Sequence, residues 1–450
     1  MKIVKLENIG FYTLSDYRAI QSSPASPMWR CELIVTDRCN FKCPYCRGMR
    51  PELRGDLALS DAMRVLDFWS EKKGLKNVRF SGGEPTLYHG LVHLVEYAKT
   101  LGVERIAIST NGSADTDLYR KLIEAGVNDM SISLDACCSD FGKKMCGGIS
   151  GAWERVIDNI RILSQLTYVN LGMVFTEDTV SELAKTVEFG HSLGVADIRV
   201  ISAAQYDRTL EGLKNIPQGI LDAHPILKYR VNNAIAGRNV RGLRPDDCRR
   251  CSLVMDDGVV VGDCHYPCII YMREGGNPIG KVGPEMRQER IRWMNEHDIH
   301  TDPICLKNCL DVCIDYNNRF QIIRELGVDK LSTDPAFGIL TRPGLECRLR
   351  HMTYPLTVIL IDLTDLHGLN GTLGYGAVNE RVKRALSQFD TIGRWFSGDE
   401  IIIKTANPSD TIHSLKERFS REGIRFKYKI IIADKFEDID DKAKELGTYV

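Results

Sequence analysis

The sequence predicts an α/β fold with an open parallel barrel, followed by a cysteine-rich region and a compact α+β domain. Three observations lead to this prediction. Short apolar runs alternate with amphipathic stretches in the first half, the cysteines gather in three groups, and further apolar runs occupy the last quarter. Strand-helix alternation is typical of a parallel sheet covered by helices. The predicted regions are an N-terminal extension (1–28), a barrel domain (29–204), a cysteine-rich region (205–327) and a C-terminal domain (328–450).

The barrel domain contains six candidate strands, each followed by a stretch with helical periodicity. A polar residue near the start and a glycine at the end bound several of these helical stretches. In parallel barrels, ligands gather at the carboxyl ends of the strands, so the loops there are the expected functional site. The strands are predicted at 31–36, 77–82, 105–110, 129–135, 169–176 and 197–202.

The C-terminal domain contains three candidate strands and two helical stretches. The helical stretches lie around 375–389 and 408–422. Their spacing between apolar runs favours a compact α+β arrangement. The strands are predicted at 356–363, 399–405 and 426–434.

Composition narrows the partners and the compartment. The 59 Lys and Arg residues nearly cancel the 60 Asp and Glu residues, so no overall field attracts nucleic acid or an anionic membrane. No apolar run approaches the roughly 20 residues that span a bilayer, and the first residues lack a signal-peptide core. We therefore expect a cytoplasmic protein. In that reducing compartment, fifteen cysteines indicate metal ligation rather than disulfides.

Three cysteines crowd the loop after the first predicted strand, at Cys39, Cys43 and Cys46. A four-iron cluster held by three thiolates keeps one iron free for another ligand. Structural zinc is a weaker interpretation, because it needs four closed ligands and the nearest further cysteine, Cys31, lies within the strand. Three buried structural thiols are the remaining alternative.

This Cys-x3-Cys-x2-Cys loop resembles that of the radical S-adenosylmethionine (SAM) superfamily. Three more segments carry the resemblance: a Gly-Gly-Glu-Pro segment, a Ser-Thr-Asn-Gly strand end and a Ser-Leu-Asp strand end, at 82–85, 109–112 and 133–135. The resemblance implies an open barrel of the radical SAM type. It also implies a [4Fe-4S] cluster whose free iron chelates SAM, and reductive cleavage of SAM to a 5'-deoxyadenosyl radical.

The resemblance further implies a SAM-binding set. In it the glycines allow close approach to the ligand and Glu84 accepts from the methionine ammonium group. Asp135 has an alternative role as a turn residue at its strand end. A flavodoxin or ferredoxin is the implied electron donor. The cofactor-binding residues implied are Tyr45, Gly82, Gly83, Glu84, Pro85, Asn111 and Ser133.

Two later cysteine groups resemble the auxiliary iron-sulfur region of SPASM and twitch extensions in peptide-modifying radical SAM enzymes. The first group also resembles the C-terminal cluster motif of the molybdenum-cofactor GTP cyclases. Seven cysteines suit one closed cluster, or two with an open or non-cysteine position, and either arrangement relays electrons or binds substrate. A zinc site that includes Cys248 and Cys251 is the alternative. The expected ligands are Cys248, Cys251, Cys264, Cys268, Cys305, Cys309 and Cys313.

Asp362 in its first strand, Asn370 and the segment Ser397-Gly398-Asp399-Glu400 make the C-terminal domain resemble GGDEF domains, the catalytic module of diguanylate cyclases. The resemblance implies Mg²⁺ and a bound nucleotide, since carboxylates and phosphates are its preferred ligands. Gly371 stands where the family places a base-reading Asp, and His367 replaces a common Lys. A nucleotide domain with altered base preference and a degenerate scaffold therefore both remain open. The residues implied are Asp362, Asn370, Asp399, Glu400 and Lys444, within segments that include Ser397, Gly398 and Gly447.

The sequence thus predicts a radical SAM enzyme acting on a peptide, protein or nucleotide-type substrate. A different hypothesis is an iron-sulfur redox sensor that controls a nucleotide cyclase. The intact Gly-Gly-Glu-Pro segment argues against it, because a sensor needs no SAM site.

Overall fold

The structure is a computed structural model. It forms two compact units, Met1–Arg319 and Phe320–Val450. Most of the predicted N-terminal extension lies outside the described residues. The structure describes residues 18–19, 22–47, 52–70, 74–204, 210–326, 333–334, 336–350, 352, 354–389, 391–395 and 399–444.

One nine-stranded sheet organises the first unit, in the order β6-β5-β4-β3-β2-β1-β7-β8-β9. The first six strands are parallel, and β1 is buried on both faces for nearly its whole length. Continuous apolar runs suit such doubly covered strands. All six predicted strands are confirmed, three of them to the residue. The strands are β1 Arg30–Thr36, β2 Asn77–Gly82, β3 Arg105–Thr110, β4 Asp129–Ser133, β5 Tyr168–Phe175, β6 Asp197–Ser202, β7 Asp257–Val261, β8 Cys264–Tyr266 and β9 Gly280–Lys281.

Helices between β1 and β6 cover the parallel strands. The first of them buries Ala62, Val65, Leu66 and Trp69, which are spaced as one helical face. This face explains why the segment folds as a helix against the sheet. The Trp69 indole also donates to the carbonyl oxygen of Arg30 in β1, at 3.0 Å. The helices are α1 Leu59–Ser70, α2 Leu91–Thr100, α3 Thr116–Ala125, α4 Ser139–Met145, α5 Ala152–Leu163 and α6 Leu183–Ser192.

The cysteine-rich region is continuous with the barrel sheet. Strand β7 pairs in parallel with β1, and β8 and β9 extend the sheet as antiparallel strands. The predicted division after residue 204 therefore separates stretches that share one sheet, because a pairing over more than two hundred residues leaves no local signal. The helices here are α7 Gln218–Ala223, α8 Pro225–Ile235, α9 Ile269–Arg273, α10 Met286–Glu296, α11 Pro303–Asn308 and α12 Asp311–Leu326.

The second unit is built on a four-stranded antiparallel sheet in the order β11-β12-β10-β13. Between its first and last strands the chain order is strand, two helices, two strands, helix, strand, which is a split β-α-β arrangement with one added helix, and a further helix lies at each end. The three predicted strands and both helices are confirmed within a few residues. The elements are α13 Arg342–Arg350, β10 Leu356–Thr364, α14 Leu366–Leu373, α15 Tyr375–Leu386, β11 Ile392–Arg394, β12 Glu400–Lys404, α16 Pro408–Arg421, β13 Arg425–Ala433 and α17 Phe436–Lys444.

Apolar side chains cover both faces of this second sheet. One face packs Ile359 and Ile401 against the helices, while the other packs Val358 and Ile402 with Trp395. Across the described residues of the whole chain, no helix is both long and apolar enough to cross a bilayer.

Candidate active site

A cavity of about 230 Å³ opens at the carboxyl ends of the barrel strands. All four segments that carry the superfamily resemblance contribute to its wall, although they are far apart in the sequence. The parallel strand order brings them together, as expected for this edge of a barrel. The expected site residues in the wall are Cys39, Cys43, Tyr45, Cys46, Gly82, Gly83, Asn111, Ser133 and Asp135.

The three-cysteine loop forms one side of this cavity. Cys39 and Cys46 are exposed and Cys43 is partly buried, so these described residues do not form the three buried structural thiols of the alternative interpretation. The backbone N–H of Cys46 donates to the carbonyl of Cys43 at 3.0 Å, and that of Phe41 donates to the Cys39 sulfur at 3.4 Å. Three accessible thiols beside an open cavity fit a cluster with one free iron better than they fit a closed zinc site.

Gly82 and Gly83 pack closely against the backbone at the start of the cysteine loop. Gly82 has φ of 152°, and a Cβ there would run into the Thr36 carbonyl oxygen. A Cβ on Gly83 would run into the Arg38 carbonyl oxygen. We expected these glycines to admit the ligand; the close approach in the structure is to the neighbouring backbone, which only glycine permits.

Glu84, which is expected to accept from the methionine ammonium group, receives hydrogen bonds from several protein donors in the structure. Its side chain is fully buried and lies outside the cavity wall. One oxygen accepts from the Thr86 N–H at 3.1 Å and from the Thr86 and Thr110 hydroxyls at 2.7 Å each. The other accepts from the Asn111 N–H at 2.6 Å. Four protein donors contact the carboxylate, so it joins two strand ends, and its contact with the methionine ammonium group stays a prediction. Pro85 is likewise buried, at the start of the next short turn.

Asn111 links the third strand end to the cysteine loop. Its side-chain amide donates to the Asn40 side chain at 2.8 Å, and Asn40 in turn donates to Ser113 at 2.9 Å. The side-chain oxygen Oδ1 of Asn111 accepts from the backbone N–H and from the hydroxyl of Ser113. Asn111 thus fixes the loop between Cys39 and Cys43 while lining the cavity.

Tyr45 and Asp135 form the opposite wall. The Tyr45 hydroxyl donates to the Asp135 carboxylate, which also accepts from the Val174 N–H at 2.6 Å. Burial raises the pKa of Asp135 to about 6 despite these two donors. Burial and the Asp135 charge raise the pKa of Tyr45, so its hydroxyl stays a donor. Asp135 is therefore more than a turn residue, since it orients Tyr45.

Sequence reasoning missed two residues of the cavity wall, Cys146 and Arg273. Cys146 follows α4 and is buried close enough to Cys43 for its charge to raise the Cys43 pKa, after the larger effect of burial. Arg273 comes from the cysteine-rich region and approaches the Gly82 carbonyl at 3.5 Å. No local motif marks either residue, because each reaches the cavity only through the tertiary fold.

Four of the seven later cysteines form a group that we call the auxiliary cysteine set. Burial raises the pKa of each thiol in it, and neighbouring thiols in the set raise the pKa of three of them further. Asn317 donates to Cys251 at 3.5 Å and supports this loop. Four adjacent thiols fit one closed iron-sulfur cluster. The set is Cys251, Cys268, Cys309 and Cys313.

The other expected auxiliary ligands lie at the edge of this set or apart from it. Cys264 begins an outer strand, and its thiol donates to Asp263 at 3.4 Å. Its principal charged neighbours are Asp263, Glu52 and Lys281, none of them a cysteine. Cys248 faces the Arg250 carbonyl at 3.3 Å and has Cys251 as its nearest charged thiol. Cys264 is therefore set apart from the other expected ligands, and its ligation of iron stays a prediction.

The second unit brings three of its expected carboxylates together. Asp362 on β10 pairs in register with Glu400 on β12, and Asp399 precedes Glu400. Burial and the Glu400 charge raise the pKa of Asp399. Within the described residues, one Glu400 oxygen and the Asn370 amide oxygen are buried without a hydrogen-bond partner. Ser397, Gly398, Gly447 and the Lys444 and His367 side chains lie outside what the structure describes.

Comparisons with known proteins show what the barrel is similar to. Residues 33–190 match the radical SAM superfamily. A probable GTP 3',8-cyclase of Saccharolobus solfataricus is 34% identical over 177 residues, which cover 39% of this chain and 57% of that protein. A protein of the same name from Sulfurisphaera tokodaii is 24% identical over 237 residues, covering 49% of this chain and 75% of that protein. The chain thus spans little more than half the length of the first relative.

Two solved structures are also similar to this chain. Streptococcus suis SuiB bound to S-adenosylmethionine has a TM-score of 0.46 and 16% identity, and the match covers 64% of this chain and 72% of SuiB. Native anSMEcpe with bound AdoMet has a TM-score of 0.42 and 15% identity, and the match covers 68% of this chain and 99% of that protein.

Proposed function

Since this chain is an enzyme of the radical SAM superfamily through its residues 33–190, we propose that Cys39, Cys43 and Cys46 hold a [4Fe-4S] cluster that binds SAM. The observation that carries the proposal is their position in the wall of one cavity with the three strand ends. When bound, the cluster and SAM supply a 5'-deoxyadenosyl radical that attacks the substrate. A flavodoxin or ferredoxin provides the electron.

The protein residues of the site have separable tasks in this proposal. Glu84 ties the second strand end to the third, and Asn111 ties the third to the cysteine loop. These bonds position the three thiols before any ligand arrives, which reduces the cost of ordering the site. Tyr45, held by Asp135, presents a ring edge to the cavity where the adenine is expected. Ser133 is exposed at the end of β4 and offers a hydroxyl to the same space.

We propose a nucleotide or peptide substrate, with the nucleotide favoured. The relative from Saccharolobus solfataricus carries the name probable GTP 3',8-cyclase, and it is 34% identical to this chain over 177 residues. Arg273 adds a guanidinium to the cavity wall, which suits a phosphate group. The auxiliary cysteine set would hold one [4Fe-4S] cluster at the barrel's side, to relay electrons or bind the substrate.

The second unit would bind a nucleotide with Mg²⁺ or serve as a degenerate scaffold. The pairing of Asp362 with Glu400 supports metal binding, because Mg²⁺ prefers carboxylate and phosphate oxygens.

The described cysteines are all free thiols, which supports the reducing cytoplasm as the compartment.

Release of 5'-deoxyadenosine tests the proposal. Anaerobically reconstituted protein with dithionite and SAM should release it, and the triple variant Cys39→Ala, Cys43→Ala, Cys46→Ala should not. Nucleoside triphosphates and peptides are then added in turn to find the class that changes the product. Unchanged release by the triple variant would refute the cluster assignment. Absence of release from the unaltered protein would favour the redox-sensor hypothesis instead.

A further inference from the structure

Three potential metal ligands converge beside the auxiliary cysteine set. They are the imidazole of His297, the carboxylate of Asp302 and the thiol of Cys305, and their ligand atoms all lie within 4.8 Å of one another. His297 directly follows helix α10, Asp302 directly precedes helix α11, and Cys305 lies in the first turn of α11. Imidazole, carboxylate and thiolate are the three ligand types that Zn²⁺ combines in proteins.

Packing holds the His297 imidazole in place, but its Nε2 atom makes no well-directed hydrogen bond in the described part of the chain. Nε2 lies 3.1 Å from an Asp302 oxygen, yet in the described part of the chain it is buried and makes no hydrogen bond. The two atoms are therefore close but poorly directed at each other. Trp293 stacks on the ring with centroids 4.1 Å apart, which restricts its rotation. A metal ion bound to both atoms would give Nε2 the well-directed contact that this ion pair with Asp302 lacks.

Asp302 presents one oxygen to this point and uses the other elsewhere. Oδ1 accepts from the N–H groups of Ile304 and Cys305, at 2.8 and 2.9 Å, and so caps helix α11. Oδ2 accepts from the Tyr271 hydroxyl at 3.0 Å and is the oxygen that faces His297. A ligating carboxylate is typically oriented by such outer hydrogen bonds.

Cys305 is the thiol that the auxiliary cysteine set does not require. Four cysteines already close a [4Fe-4S] cluster. Cys305 adjoins that set, since the charges of Cys268 and Cys251 follow burial as causes of its raised pKa, but Asp302 is among its principal neighbours too. Its charge is among those that raise the pKa of Cys309, after burial and the charges of Cys313, Cys251 and Cys268, but it is not among the principal charges that act on Cys313.

We propose that His297, Asp302 and Cys305 form a mononuclear Zn²⁺ site next to the auxiliary cluster. Three protein ligands leave the fourth tetrahedral position open to water or to a substrate donor atom, as in catalytic rather than structural zinc sites. The site stands independently of SAM cleavage, and Cys305 is a zinc ligand in it rather than a ligand of iron.

Metal content of the full-length protein tests this assignment. After anaerobic reconstitution with iron and sulfide, followed by Zn²⁺ and removal of excess metal, the unaltered protein should retain about one zinc per chain. Cys305→Ala and His297→Phe should lose the zinc while iron and sulfide stay unchanged. Phenylalanine preserves a ring against Trp293, and the retained iron shows that the fold is intact. His93→Ala, an exposed histidine on helix α2, is the control and should keep the zinc.

X-ray absorption at the zinc edge provides the second readout. One sulfur neighbour together with nitrogen and oxygen neighbours is expected. Four sulfur neighbours would overturn the proposal, because they would place zinc on the auxiliary cysteine set. It would equally be overturned if His297→Phe kept its zinc, or if Cys305→Ala lost as much iron as Cys309→Ala. Failure of SAM cleavage alone would leave these metal counts untouched.

Discussion

The Glu84 carboxylate accepts a 2.6 Å hydrogen bond from the backbone N–H of Asn111, across two neighbouring strand ends. Because the carboxylate is fully buried, this contact is charge-assisted and replaces hydration that folding removed. Burial raises the pKa of Glu84, while the surrounding donors lower it. The second and third strand ends therefore meet at one buried carboxylate.

Glu84→Gln should destabilise the barrel unit by about 2 kcal/mol. The amide turns one acceptor into a donor, so a buried N–H group loses its partner, at about 1–3 kcal/mol. Denaturant unfolding followed by circular dichroism measures the change. Glu104→Gln is the control, since Glu104 is exposed and pairs only with Lys76. Equal stability of the two variants would contradict the idea that Glu84 stabilises the barrel by joining two strand ends.

Cys309→Ala should remove the auxiliary cluster, whereas Cys264→Ala should keep it. Cys309 belongs to the auxiliary cysteine set, but Cys264, at the start of β8, contacts Asp263. Iron and sulfide analysis after reconstitution should show a loss of about four irons per chain for Cys309→Ala only. A similar loss for Cys264→Ala would show that the outer cysteine ligates iron after all.

Stability should fall between about pH 4 and pH 7 because of Asp197, and Asp197→Asn should remove that part of the dependence. Burial raises the pKa of Asp197 to about 7, although backbone donors oppose the shift. In the unfolded chain the pKa is about 3.9. The folded state thus holds a proton that the unfolded state has lost, so this stabilisation is complete below pH 4 and disappears as pH rises through 7.

Urea unfolding at several pH values checks the Asp197 prediction. Both the Ile198 and the Ile226 N–H groups donate to Oδ1, at 2.8 and 3.2 Å, and the asparagine side chain keeps one such acceptor oxygen. The free energy of unfolding of the variant should therefore rise relative to that of the unaltered protein as the pH rises. A difference independent of pH would mean that the carboxyl group is ionised throughout.

The second unit should bind nucleoside triphosphates with Mg²⁺ and with little preference for guanine. Asp362 and Glu400 face each other in register, but Gly371 offers no carboxylate for the base. Loss of such a contact costs about 1.5–3 kcal/mol, or roughly a tenfold to hundredfold preference.

Titration of the full-length protein with GTP, ATP, CTP and UTP checks this nucleotide prediction. The variant Asp362→Asn with Glu400→Gln separates binding by the second unit from binding in the barrel cavity. Strong GTP selectivity that this variant loses would refute the base argument. Binding that is the same with and without the variant would leave the scaffold interpretation.

Most strands could be predicted from the sequence because each is a continuous apolar run. Helix α14 was missed, since its eight residues include two glycines, which weaken helix propensity. The segments of the site were found from their motifs, but the partners of their side chains were not. The motif identifies Glu84, whereas only the fold shows that four protein donors occupy it. Cys146 has no motif and enters the cavity only through tertiary structure.

The parallel pairing of β7 with β1 has a practical consequence for dissecting the enzyme. Val259, Val260 and Val261 are buried, and β1 beside them carries the cysteine loop at its end. Cutting the chain at residue 204 would strip β1 of this neighbour and leave an unpaired, apolar strand edge. Such edges recruit other chains and promote aggregation. The catalytic barrel is therefore not a detachable module, and a shortened version would precipitate rather than work alone.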